Sequence, residues 1–231
     1  MSKPNLILLH GALGSKKELE PLMELLKEDF KTYSMNFEGH GGELTEKALT
    51  MDLFAENLID FCSKHEIEST HIFGYSMGGY VALNATKKKP SLIKTIVTLG
   101  TKFSWSPEIA AKETKLLNPE KIEEKIPKYA GYLASLHGEA GWKKLMLQTA
   151  ELMNGLGNGL AFREKEFSSI THKVFLGHGE LDQMVTAEET KDVQGYLQNA
   201  EFYSIPNTEH PIVKVDKEIL AKTIKAKLLS T

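Results

Sequence analysis

The chain reads as an α/β protein: a mainly parallel sheet of about six strands, helices on both faces, and a helical lid inserted after the strand at 94–99. Three observations predict it. Short apolar runs alternate with segments of helical period, as strands joined by crossover helices do. The run Gly74-Tyr75-Ser76-Met77-Gly78 stands where a strand-like segment gives way to a helix-like one. The long interval 102–168 has no strand candidate, although a crossover needs only a dozen or so residues. The expected division is a core of 1–101 and 169–231 with a lid of 102–168.

The strand candidates are 5–9, 31–37, 70–75, 94–99, 172–177 and 200–205. After Thr50, Phe54, Leu58, Phe61 and Cys62 follow helical spacing. Lys87-Lys88-Lys89 precedes Pro90 and reads as a helix end, where cations suit the dipole. In the lid, Ser106-Pro107 and Asn118-Pro119 each have the form of an N-cap followed by proline. Pro127 interrupts the second lid helix, and Gly131, Gly138 and Gly141 mark weak points. Thr186-Ala187-Glu188-Glu189 is a capping box. Leu220, Ile224 and Leu228 share one face of a last helix with Asp216 as its N-cap.

Composition narrows the function. A length of 231 residues suffices for one core with a small appended lid, and 41% apolar with 26% charged residues is an ordinary globular balance. A net charge of −3 gives no electrostatic case for nucleic acid or an anionic membrane, so a small-molecule substrate is the expected partner. Cys62 is the only cysteine, which excludes an intrachain disulfide and a cysteine-based zinc site. Leu6-Ile7-Leu8-Leu9 is too short for a signal-peptide core or a membrane span, so cytoplasmic location is the default expectation.

A serine held between glycines at a strand-to-helix corner sits in strained backbone and points at a helix N-terminus, where developing negative charge is favoured. The five-residue pattern alone is weak; a chain of this length meets it by chance about 8% of the time. Its partners give it weight. A serine hydroxyl needs a base, and the base needs an orienting acid. Asp182 follows the strand at 172–177, with Glu180 as the rival acid; His210 follows the last strand, with His178 as the rival base. The order Ser76, Asp182, His210 is that of a nucleophile elbow and its partners. The loop His10-Gly11-Ala12-Leu13-Gly14-Ser15 follows the first strand. Oxyanion donors are expected from the backbone N–H of Met77 and of Ala12, with Leu13 as the alternative to Ala12. Glu38-Gly39-His40-Gly41-Gly42 reads mainly as a sharp loop bordering the pocket, and His10 as a loop former. Leu13, and Trp105, Tyr132 and Trp142 of the lid, are the candidate substrate contacts, although most lid aromatics are expected to pack the lid onto the core.

Five pieces together resemble the alpha/beta-hydrolase superfamily, in its lidded esterase-like and C–C-hydrolase-like branch. They are Leu9-His10-Gly11, Gly39-His40-Gly41, Gly74-Tyr75-Ser76-Met77-Gly78-Gly79, Gly179-Glu180-Leu181-Asp182-Gln183-Met184-Val185 and Thr208-Glu209-His210-Pro211. The resemblance implies the parallel sheet with a lid after 94–99, abbreviated by the two N-terminal strands of the eight-stranded form. It departs from the branches that bind carboxylate-rich substrates through several arginines, since Arg163 is the only arginine. A serine nucleophile also counts against the dehalogenase and epoxide-hydrolase branches, which use aspartate. The expected activity is hydrolysis of a small or medium carboxylic ester through an acyl-enzyme on Ser76, with no metal or organic cofactor. The alternatives are C–C bond hydrolysis or a lyase step on the same triad, and a receptor-like binding module with vestigial hydrolysis.

Overall fold

The computed structural model describes residues 3–229. In chain order the elements are β1 (Asn5–Leu9), α1 (Glu20–Leu26), β2 (Lys31–Ser34), α2 (Met51–Lys64), β3 (Thr70–Tyr75), α3 (Met77–Lys88) and β4 (Ile93–Leu99). Then come α4 (Pro107–Thr114), α5 (Pro119–Lys125), α6 (Pro127–His137), α7 (Gly141–Gly155) and α8 (Glu164–Ser168). The chain closes with β5 (Lys173–Gly179), α9 (Ala187–Tyr196), β6 (Ala200–Ile205) and α10 (Lys217–Leu229). The strands form one sheet in the order β2-β1-β3-β4-β5-β6. Every neighbouring pair is parallel.

Side chains alternate across a strand, so the apolar runs feed two cores. Leu6, Leu8, Phe73, Val97 and Phe175 pack with Leu22 and Leu26 of α1 and Leu220, Ile224 and Leu228 of α10. Ile7, Leu9, Ile72, Ile96 and Val174 turn to the other face and pack with Phe54, Leu58 and Cys62 of α2, Tyr80 of α3 and Val193 of α9. Leu6 through Leu9 are all 0% exposed. Each such side chain is worth about 1.5–3 kcal/mol of burial, which makes β1 a rigid base for the loop that follows it.

Local chemistry sets the helix boundaries as expected. Ser106 and Asn118 accept from the N–H of Ile109 and Lys121. Thr186 accepts from Glu189 N–H in a capping box. Asp216 Oδ1 accepts from Glu218 and Ile219 N–H at the start of α10. α5 stops at Lys125 and α6 starts at Pro127. Two expectations need correction. β2 ends at Ser34, because its ladder partner β1 turns into the His10 loop after Leu9, leaving Met35–Phe37 without a strand to pair. Gly131 does not break α6; that helix runs through it and ends at Gly138, whose φ is +81°.

Helices α4–α8 all lie between β4 and β5, and their inner faces join the larger core through Ala130, Leu133, Trp142, Leu145 and Met146. Among the described residues, no helix is long and apolar enough to cross a membrane.

Candidate active site

The site is built at the C-terminal edge of the sheet, where loops leave β1, β3, β4, β5 and β6. β3 ends one residue before Ser76, which takes φ +50° and ψ −120°, and α3 starts one residue later. A non-glycine residue in this conformation costs about 1–3 kcal/mol, so the surroundings must hold it. They do: Ser76 N–H donates to Leu99 O at 2.8 Å, and its carbonyl accepts from Gly79 N–H at 3.0 Å and Thr101 Oγ1 at 2.9 Å. The flanking glycines make the turn sterically possible. A Cβ on Gly74 would fall 2.5 Å from Gly79 Cα, and one on Gly78 would fall 2.5 Å from Leu9 O.

Ser76 Oγ lies 3.2 Å from His210 Nε2, and His210 Nδ1 lies 2.7 Å from Asp182 Oδ2. The acid and the imidazole come from the loops after β5 and β6, so they reach Ser76 across the end of β4. That end is Gly100, at φ +62°; a Cβ there would meet Asp182 Oδ2 at 3.1 Å and His210 Nδ1 at 3.3 Å. Asp182 is itself fixed by N–H groups of Met184 at 2.8 Å and Val185 at 2.9 Å, both on Oδ1. Burial pushes its carboxyl up, but the contact with His210 and the two N–H donors outweigh it and hold the group below the usual carboxylate range. Its other oxygen therefore faces the imidazole as an acceptor, which places the proton on Nδ1 and leaves Nε2 open toward Ser76.

Neither rival residue makes a hydrogen bond to Ser76 or His210 among the described residues. Glu180 is exposed. His178 Nε2 is bound to Val185 O at 3.1 Å, and its ring stacks on Phe202, so it supports the loop that carries Asp182. Tyr75, which the sequence did not single out, donates its hydroxyl to His210 O at 2.7 Å and so ties the elbow to the histidine loop.

Ala12 and Met77 both border Ser76 in the cavity, and neither backbone N–H donates to an acceptor among the described residues. The loop carrying Ala12 is tightly turned, with Gly14 N–H on Gly11 O at 3.1 Å and Leu13 at φ +57°. Its outer side is held by groups that sequence reasoning missed. Glu18 accepts from Ser15 N–H and from Tyr132 of α6, at 3.0 and 2.6 Å. His137, at the end of α6, donates from Nε2 to Leu13 O at 2.8 Å and accepts at Nδ1 from Gly41 N–H at 3.0 Å. These two bonds require the neutral Nε2–H tautomer.

Behind the loop, His10, His40 and His137 form a buried cluster, with ring centroids of His40 4.9 Å from His10 and 5.9 Å from His137. His10 donates to Gly11 O and accepts from Phe37 N–H, as a loop former should. Burial pushes its pKa down to about 4. Burial and the neighbouring imidazoles lower His40 as well, and burial lowers His137. His40 is 1% exposed and lines neither part of the cavity.

The cavity has two lobes that share Ala12, Ser76, Met153, Met184 and His210. The inner lobe is bounded by Met77, Trp105, Leu152 and Leu156, and by Lys102 and Glu113. The outer lobe is bounded by Leu13, Tyr129, Tyr132 and Met146. Of the four candidate substrate contacts, Leu13, Trp105 and Tyr132 face these lobes. Trp142 does not; it is 1% exposed and packs inside the larger core, because α7 turns that face inward. Lys102, Glu113 and Glu18 gave no sequence signal, since each is one of many charges in a charged chain.

Known proteins share the fold and parts of the sequence. The solved structure of an alpha/beta hydrolase enzyme from a Medee basin deep-sea metagenome library matches with a TM-score of 0.84 at 20% identity, over 100% of this chain and 91% of that one. A 2-(acetamidomethylene)succinate hydrolase of Mesorhizobium japonicum is 22% identical over 96% of this chain and 87% of its own. Ethanol acetyltransferase 1 of Hanseniaspora uvarum is 34% identical over a shorter stretch, 45% of this chain; the chain spans about a third of that relative, 32% of its length. The family model described as the alpha/beta hydrolase fold matches residues 4–147, well over half of the sequence, and the chain belongs to that family.

Proposed function

We propose that the protein is a serine hydrolase that cleaves a small or medium carboxylic ester through an acyl-enzyme on Ser76. The observation that carries the reading is the continuous relay Ser76 Oγ–His210 Nε2 at 3.2 Å and His210 Nδ1–Asp182 Oδ2 at 2.7 Å, opening into a largely apolar cavity. Ser76 Oγ attacks the ester carbonyl while His210 Nε2 takes its proton. Asp182 holds the imidazole tautomer and stabilises the imidazolium. The N–H groups of Met77 and Ala12 receive the oxyanion, and His210 then delivers its proton to the departing alcohol. Water, deprotonated by the same histidine, resolves the acyl-enzyme. Helices α4–α8 act as the lid, covering 102–168 and shielding the reaction from bulk solvent.

The absence of arginine around the cavity favours esters over the carboxylate-rich substrates of C–C hydrolysis. Arg163 is exposed and lines neither lobe. The test is hydrolysis of p-nitrophenyl esters of increasing acyl length by wild type and Ser76→Ala. An acyl-length optimum is expected, with kcat reduced at least about 10³-fold in the variant. Equal rates in the two proteins would remove Ser76 as the nucleophile. Faster turnover of a diketone than of any ester would move the reaction to C–C bonds.

A further inference from the structure

Apart from Ser76, His210 and Tyr80, the inner lobe is apolar except at the end where Lys102 and Glu113 face it. Lys102 sits in the loop after β4 and Glu113 near the end of α4. The ammonium of Lys102 commits one of its three donors, to Met184 O at 2.9 Å, and lies 3.7 Å from Glu189 Oε2, an ion pair without a hydrogen bond. Glu189 is engaged too, by the N–H groups of Phe103 at 3.2 Å and Thr186 at 3.3 Å. Glu113 differs. Its side chain is 9% exposed, it lines the lobe, and its carboxylate accepts no hydrogen bond from any described residue. Its one charged neighbour, Lys102 Nζ, is 3.9 Å away, beyond hydrogen-bond distance.

Two carboxylates around one ammonium leave this end of the lobe with one formal negative charge. A carboxylate that lines a cavity and accepts no hydrogen bond from the protein takes its donors from whatever enters the lobe. An alkyl chain fits the walls but gives Glu113 nothing. A carboxylate could take the remaining donors of Lys102 but meets the net negative charge of the two glutamates. A chain ending in a hydrogen-bond donor satisfies both, and a cationic donor also offsets the local charge.

We infer that the inner lobe is a subsite for a hydrocarbon arm ending in a hydrogen-bond donor, ammonium in preference to hydroxyl, with Glu113 as its recognition residue. This deepens the esterase reading and rests on it, since it names the arm that one side of the ester would carry. The subsite itself is tested by binding, independently of turnover. Ser76→Ala is titrated by calorimetry with hexylammonium, hexanol and hexanoate, alone and combined with Glu113→Gln or Glu113→Leu. Hexylammonium is expected to bind at least about tenfold more tightly than hexanoate, with hexanol between them. The order collapses toward equality in Glu113→Gln, which keeps the shape and loses the charge. Hexanoate binding as tightly as hexylammonium, or a preference that survives in both Glu113 variants, overturns the inference. Circular dichroism and thermal melts of the same proteins establish that the variants are folded. Failure of p-nitrophenyl ester hydrolysis by wild type would refute the esterase reading and leave this binding result standing.

Discussion

Ser76 is the residue on which stability and the proposed function pull apart. Its φ of +50° is held by three hydrogen bonds and by the fit of Gly74 and Gly78 against the backbone around them. Alanine at this position keeps the strained geometry and loses only the hydroxyl. Glycine relieves the strain, at a smaller cost in the entropy of the unfolded chain. Ser76→Gly is therefore expected to be more stable than Ser76→Ala by about 1 kcal/mol, while both are inactive. Urea denaturation of the two variants checks it; equal midpoints would mean that the elbow stores no strain. The serine and its glycines were legible in the sequence because the motif is local. Asp182 and His210 were legible from their order and their position after strands. Tyr75, by contrast, holds His210 through a bond spanning 135 positions, and nothing in its neighbours marks it.

At the scale of elements, helix α6 is what joins the segment between β4 and β5 to the loop after β1. Tyr132 is bound to Glu18, and His137 bridges Leu13 O and Gly41 N–H. Leu13 adjoins Ala12, so His137 acts on the proposed oxyanion donor through one peptide unit and is a positioning residue. His137→Leu strands a buried carbonyl, at a cost of about 1–3 kcal/mol, and a half-buried N–H, at a smaller one. Its kcat for a p-nitrophenyl ester is expected to fall about tenfold or more with a smaller change in KM. His137→Gln, which keeps one donor and one acceptor, recovers part of that loss. A loss of stability with unchanged kcat in the leucine variant would make His137 structural only. The helices themselves were readable, since proline, serine and asparagine mark their starts. Their attachment was not: His137 occupies the last turn of a helix, where a histidine ordinarily reads as a cation suited to the dipole. The mistaken length of β2 has a similar origin, for Met35-Asn36-Phe37 continues the apolar pattern of a strand, and only the course of β1 ends the pairing.

Across the whole molecule, the loop after β1, the Gly39–Gly41 loop and α6 meet on three imidazoles that all have to be neutral. His10 and His137 each use one ring nitrogen as a donor and the other as an acceptor, so a second proton breaks a bond in either ring. His40 is held beside both, and its Nε2 is buried with no partner among the described residues. Burial is the leading cause that lowers each of them; repulsion from the neighbouring imidazoles adds to it for His10 and His40, while Leu13 O and Glu18 partly oppose it for His137. In the unfolded chain these groups take up protons near pH 6.5. The folded state refuses them until lower pH, so between the two the unfolded chain binds more protons and stability falls as the pH drops. For His10, with a folded pKa of about 4, the loss is about 2 kcal/mol by pH 5 and about 3 kcal/mol once both states are protonated. His71, also lowered by burial and then by Lys94, adds in the same direction. Asp182, held below the usual carboxylate range, contributes stability that is lost only at still lower pH. Urea midpoints at pH 7.5, 6.0 and 5.0 are therefore expected to decline steeply, and His40→Leu should flatten the decline by removing one of the protons. A wild-type midpoint that stays level from pH 7.5 to 5.0 would show that the cluster accepts protons in the folded state. With the decline present, any loss of activity on the acid side that comes from loosening of the loop that carries Ala12 should track the urea midpoint and respond to His40→Leu.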